Sequence, residues 1–114
     1  MFLGRVIGTV WATNKEERLE GLKLQVVREL DLKLQPQNRF VIAVDVVQAG
    51  VGDVVLVSQG SAARQSPMVD KKPVDALIAA VVDNLEVMDE AALEAAYAAR
   101  RDPLLEQLEA QPEI

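Results

Sequence analysis

Residues 49–64 read Ala-Gly-Val-Gly-Asp-Val-Val-Leu-Val-Ser-Gln-Gly-Ser-Ala-Ala-Arg. Four consecutive apolar residues, Val54 to Val57, are held between glycines on both sides. A short continuous apolar run bounded by turn signals predicts a strand covered on both faces. Gly50 and Gly52 can adopt the positive φ that a Cβ resists, so a tight turn is expected ahead of the strand. Behind it, Gly60 breaks the strand, Ser61 is placed to cap one helical turn over residues 62–65, and Pro67 closes the segment.

The flanking segments repeat this scale. Residues 2–13 predict a first strand with apolar groups at both parities: Phe2, Val6 and Val10 on one, Leu3, Ile7 and Trp11 on the other. Gly4 and Gly8 fall inside it, where glycine signals a bend or a close backbone approach. Trp11 suits a core position and an interface anchor equally. Residues 14–21 form a charged connection. Residues 22–34 alternate, with Leu22, Leu24, Val26, Leu30, Leu32 and Leu34 against Lys23, Gln25, Glu29, Asp31 and Lys33, the period of a half-buried strand. A turn is expected at residues 35–38 and a third strand at 39–47. Asp45 lies within that apolar run, where a carboxylate needs hydrogen-bond donors. Pinning the next turn through glycine amides or Arg64 is the role expected of it, ahead of catalysis. A last strand is expected from about Leu77 to Val87.

Residues 89–114 differ in character. Residues 89–101 are dense in strong helix formers, with Asp89 placed as cap and two arginines at the end. Asp102-Pro103 reads as a second N-cap and first helical residue, starting a short helix to about Ala110. On one continuous helix Leu93, Tyr97, Leu104 and Leu108 fall within a roughly 60° arc, a stripe expected to dock on protein. The division expected is a β-barrel domain over residues 1–88 and an acidic helical tail over 89–114.

Charge follows the same division. Residues 1–88 carry 11 acidic and 10 basic side chains, residues 89–114 seven and two, within a total of −6. Neither half offers the basic surface that nucleic acid requires. Aromatics are 4% of a chain that is half hydrophobic, so Val, Ala and Leu must build a core, as suits a narrow barrel or sandwich. The chain has no cysteine and no histidine. A disulfide framework and imidazole or thiolate metal sites are therefore excluded. No signal peptide and no apolar run near the ~20 residues of a membrane span is visible, so a cytoplasmic protein without membrane association is expected. The glycine segments match neither a phosphate loop nor a dinucleotide fingerprint. No active site, metal site or cofactor is expected.

The ordered segments Gly4-Arg5-Val6-Ile7-Gly8-Thr9-Val10-Trp11-Ala12-Thr13, Leu19-Glu20-Gly21-Leu22-Lys23-Leu24, Ala43-Val44-Asp45, Ala49-Gly50-Val51-Gly52-Asp53, Gly60-Ser61-Ala62-Ala63-Arg64-Gln65 and Pro73-Val74-Asp75-Ala76 together resemble the vertex proteins of bacterial microcompartment shells, the EutN/CcmL family. The resemblance spans roughly residues 1–87. It implies a small five-stranded OB-like β-barrel assembled as a cyclic homopentamer at the five-fold vertices of a shell otherwise tiled by hexameric shell proteins. It also implies a structural role in a bacterial microcompartment shell rather than an enzymatic one. By the same resemblance Gly60, Ser61, Ala62 and Ala63 fall near the five-fold axis and its pore. Arg64, Asp45, Gly50, Gly52 and Asp53 are the candidates for subunit contacts or for pinning turns. Gln48 stands where the family usually has glycine before Ala49-Gly50, and the acidic tail has no family counterpart. The alternative is an OB-like binding module for a small ligand or nucleic acid. Stacking single strands would need a basic groove and exposed aromatics, which a near-neutral body with one Trp and two Phe does not offer.

Overall fold

The structure, a computed structural model, describes residues 1–12, 17–67, 74–99 and 103–111, with the side chains of Arg64 and Leu105 outside that description. Five strands are present: β1 (Phe2–Val10), β2 (Leu24–Leu30), β3 (Pro36–Asp45), β4 (Val54–Gln59) and β5 (Ala76–Val81). They close into a barrel in the order β1-β2-β3-β5-β4, with β4 returning to β1. All neighbours are antiparallel except β3 and β5, which run parallel at Val44↔Leu77 and Asp45↔Ile78. This is the mainly β, five-stranded OB-like architecture the sequence led us to expect. The closing seams are short: β3 meets β5 at two residue pairs and β1 meets β4 through residues 2–5.

The interior is built from branched and small side chains. Val6, Val27, Ala43, Ala49, Val55, Val57, Ala76 and Ile78 form one buried cluster, with Phe2, Val41, Val47 and Val81 packed against it. A second cluster joins Val44, Leu77 and Ala63. Ala63 belongs to a 3-10 turn, Ala63–Gln65. Through Ala63 that turn covers the parallel seam from outside, so both parities of β3 and β5 are buried there: Ala43, Val44 and Asp45, then Ala76, Leu77 and Ile78. A strand covered on both faces reads as a continuous apolar run, as residues 76–81 do. Gly4 permits the close approach of β1 to β2, because a Cβ there would collide with Val27. Gly8 follows a register shift in the same pairing, after Val6.

Several boundaries differ from expectation. β2 ends at Leu30, and residues 31–35 form the turn, held by Asp31 Oδ1, which accepts from the amides of Lys33 (2.8 Å) and Gln35 (2.9 Å). β3 thus begins at Pro36, inside the expected turn. The parity of β2 is inverted over residues 24–27, where Gln25 and Val27 face the core while Leu24 and Val26 are half-buried, and past a register shift Leu30 is buried as expected. β1 stops at Val10, and Trp11 is 90% exposed, not core. β5 ends at Val81, with no regular structure in residues 82–89. Ser61 is not the cap of the 3-10 turn. Ala62 occupies that position, with no side-chain cap bond.

The tail forms α1 (Glu90–Ala99) and α2 (Pro103–Ala110). Asp89 caps α1, its Oδ1 accepting from the Ala92 amide at 2.7 Å. Pro103 opens α2 as expected. Asp102, Arg100 and Arg101 lie outside the described residues. α1 buries none of its side chains. No described helix is long and apolar enough to cross a membrane.

Candidate functional site

The candidate residues fall at the two ends of β4. Ahead of the strand, Asp45 ends β3 with its side chain fully buried. Its Oδ1 accepts from the amides of Val47 (3.0 Å) and Ala49 (3.2 Å), bending the chain back immediately after the strand. Its Oδ2 accepts from Gln25 Nε2 at 3.2 Å, and Lys23 Nζ lies 3.6 Å away. Gln25 in turn donates to the Ala49 carbonyl at 2.9 Å and accepts from Thr9 Oγ1 at 2.7 Å. A chain of hydrogen bonds thus runs from β1 through β2 to the turn after β3. Burial acts first on Asp45 and pushes its carboxyl up. The Ala49 and Val47 amides, the Gln25 amide and the Lys23 ammonium together outweigh it and hold the group below its ordinary value. Among the described residues, no buried side-chain polar atom is left without a partner.

The next turn is closed at both levels. Asp53 N donates to the Gly50 carbonyl at 3.0 Å, and Asp53 Oδ2 accepts from the Gly50 amide at 2.8 Å. Gly52, third in this turn, has φ +96°, the requirement of a type II turn. Gly50 does not take a positive φ. Its amide, rather than its conformational freedom, serves the turn. The turn is laid against β1 by Gly52 N to Val6 O (2.8 Å), Val6 N to Asp53 O (3.0 Å) and Arg5 Nη1 to Gly52 O (2.8 Å). Between the two amides that Asp45 holds sits Gln48 with φ +60°, a backbone that favours glycine.

Behind the strand the arrangement is plainer. Gly60 has φ +62°, and its amide donates to the Asp75 carbonyl at 2.7 Å. Ser61 and Ala62 are exposed, Gly60 is half-buried, and Ala63 is fully buried against Val44 and Leu77. The backbone of Arg64 lies in the 3-10 turn, and its side chain lies outside the described residues. The structure therefore places Gly50, Gly52 and Asp53 at one end of the six-residue β4 and Gly60 to Ala63 at the other, roughly 20 Å apart along the strand, while Asp45 reaches the first turn through the Ala49 amide and its neighbour Val44 packs against Ala63. Two participants were not singled out from the sequence. Gln25 is 1% exposed yet sits among residues that alternate as a polar face. Thr9 orients it. The one signal pointing toward them was the need of Asp45 for donors.

Among the described residues no cluster of three or more carboxylates that could hold a metal occurs. The barrel's outer surface instead carries exposed Ile7 (46%), Phe40 (53%) and Ile42 (56%). Ile42 lies opposite Val26, and Phe40 opposite Arg28, whose guanidinium stands 5.1 Å from the ring centroid.

Residues 1–83 match the family model described as ethanolamine utilisation protein EutN/carboxysome. The chain is 47% identical over 89 residues to the bacterial microcompartment shell vertex protein GrpN of Rhodospirillum rubrum, a match covering 78% of this chain and all of that protein. It is 44% identical over 87 residues to the carboxysome shell vertex protein CcmL of Synechocystis, covering 76% and 87% of the two chains. The solved structure of the pentameric GrpN shell protein superposes with a TM-score of 0.71 at 46% identity, covering 77% of this chain and all of that one.

Proposed function

The chain belongs to the EutN/CcmL family, and from that premise we propose that it is a structural shell protein whose closed homopentamers fill the vertices of a bacterial microcompartment. Its role is architectural rather than enzymatic. The observation that carries this reading is the likeness in fold, over 77% of this chain and at 46% identity, to a pentameric microcompartment shell protein. The exposed Ile7, Phe40 and Ile42 supply a physical motive, since a ring of identical barrels would take such a surface out of water at about 25 cal/mol per Å². Hexameric shell proteins are the neighbours that a vertex of this kind would meet.

Within this reading, residues 1–88 are the assembling unit and residues 89–114 an appended acidic tail. Gly60, Ser61, Ala62 and Ala63 lie toward the five-fold axis. The small side chains of Ser61 and Ala62, both exposed, would leave room for the facing copies. Arg64 is a subunit-contact cation. Asp45, Gly50, Gly52 and Asp53 shape the turn ahead of β4 that the ring presents. Native mass spectrometry tests the assembly. The expected result is a species of five times the 12.4 kDa chain, and a monomer or dimer as the sole species at micromolar concentration would overturn it.

A further inference from the structure

Two surfaces of this chain complement each other and are not joined within it. The first is a groove of about 530 Å³ beside the end of β1, lined by Thr9, Val10, Trp11, Leu22, Lys23 and Leu24 among others. Trp11 there is 90% exposed. The second is the face of α1 that carries Leu93 (39% exposed) and Tyr97 (59% exposed), one helical turn apart. An isolated helix of ten residues is marginal in water and needs a surface to hold it.

Charge selects the pairing. Among the described residues lining the groove, Lys23 is the one charged side chain; that side chain is about half exposed, and its ammonium stands 3.6 Å from Asp45 Oδ2. The charged residues of α1 are Glu90 and Glu94, both acids, each three residues before Leu93 or Tyr97 and so beside the apolar face. Bundling the tails with one another is opposed by the same charge, since each carries a net −5 over residues 89–114. A barrel groove that is largely apolar, with its one lysine balanced by Asp45 beneath, does not carry that penalty. Residues 82–89, without regular structure, give α1 a tether of up to roughly 27 Å. Within its own chain α1 leaves the groove open, with Trp11 bare.

We propose that α1 of one subunit seats Leu93 and Tyr97 in the Trp11 groove of a second copy of this chain, with Glu90 and Glu94 turned to Lys23. The inference rests on the ring reading, which places copies side by side. It makes the tail a clasp between adjacent barrels, an element additional to the barrel surfaces themselves.

Trp11 is the one tryptophan of the sequence, so its fluorescence reports on the groove directly. In the full-length protein the expected result is blue-shifted emission and severalfold weaker acrylamide quenching than in the full-length double variant Leu93→Glu, Tyr97→Glu. Rings mixed from Trp11→Phe chains with the native tail and double-variant chains with native Trp11 then separate the two origins of cover. Protection gained by the double-variant Trp11 shows that the tail comes from a neighbour. No gain in mixed rings, with protection in the native ring, assigns α1 to its own groove and overturns the second-copy proposal. Equal quenching in native and double-variant proteins overturns docking altogether. Native mass on the same samples keeps the readings apart: a fivefold mass with equal quenching sinks the clasp alone, and a monomer sinks the ring.

Discussion

β4 is entered and left through turns built on different principles. The entering turn is held by side chains. Asp45 grips the Val47 and Ala49 amides, Gln25 ties the same carboxylate to β2, and Asp53 grips the Gly50 amide. The leaving turn is held by backbone bonds, Gly60 N to Asp75 O, Gln65 N to Ala62 O and Ser66 N to Ala63 O, with buried Ala63 beneath. The difference teaches where this barrel resists change. Charge-assisted hydrogen bonds accepted by a buried carboxylate fix the first turn from within the chain. The second presents exposed Ser61 and Ala62, and its outer surface is left to whatever stands opposite.

The largest expected effect breaks the first pin. Asp45→Asn puts an amide donor where the carboxylate faces donors on both oxygens, and should destabilise the protein by about 2–3 kcal/mol, read as a lowered urea midpoint at unchanged slope. A loss under about 0.5 kcal/mol would mean the network contributes little beyond what water supplies. Acid sharpens the same point. Because the folded carboxyl sits below its ordinary value of 3.8, its contribution is fully present above that pH. It disappears as pH falls through the lower folded value. Denaturation midpoints measured from pH 7 downward should therefore fall off in acid for the native protein and fall less steeply for Asp45→Asn.

Next in size, Gly52→Ala forces a Cβ onto φ +96° and should cost about 1–2 kcal/mol. At the other end of β4, Gly60 has φ +62°, a left-handed value that asparagine tolerates, so Gly60→Asn should cost clearly less than Gly52→Ala in the same melts. Equal losses would erase the distinction between the two turns. A smaller change runs in the opposite direction. Gln48 holds φ +60° without the freedom of glycine, and Gln48→Gly should stabilise by about 0.5–1 kcal/mol. The smallest effect is at Ser61. With no side-chain cap bond from residue 62 and an exposed position for Ser61, Ser61→Ala should shift stability by less than about 0.5 kcal/mol. A larger loss measured on the dissociated chain would show a local bond at that turn.

Much of the fold was legible in the residues themselves. Apolar runs bounded by glycine and proline mark five strands in order. The run at Val54 to Val57 announces a strand, although the cover expected on both faces is not found, since Val55 and Val57 are buried while Val54 and Leu56 on the other face are half-buried; Asp89 followed by alanine-rich sequence announces a capped helix. These are local properties, set by backbone stereochemistry and by the neighbouring few residues. An acidic residue inside an apolar run also carries its own demand for donors, which is why Asp45 could be marked as a pin.

Only the tertiary structure decided what those local signals leave open. Gln25 faces the core because Asp45, Ala49 and Thr9 satisfy its amide there. Alternation alone assigns an amide to water, so the face of β2 was read inverted. β5 stops at Val81 because its pairing with β4 ends at Val55↔Val81, although apolar residues continue to Val87. The parallel seam between β3 and β5, and the burial of Ala63 outside it, join residues distant in sequence, which no local pattern encodes. Trp11 lies just past the end of β1, where the described residues of the barrel leave it exposed. Its side chain is apolar in either place, and only the three-dimensional arrangement determines whether it meets its own core or the surface.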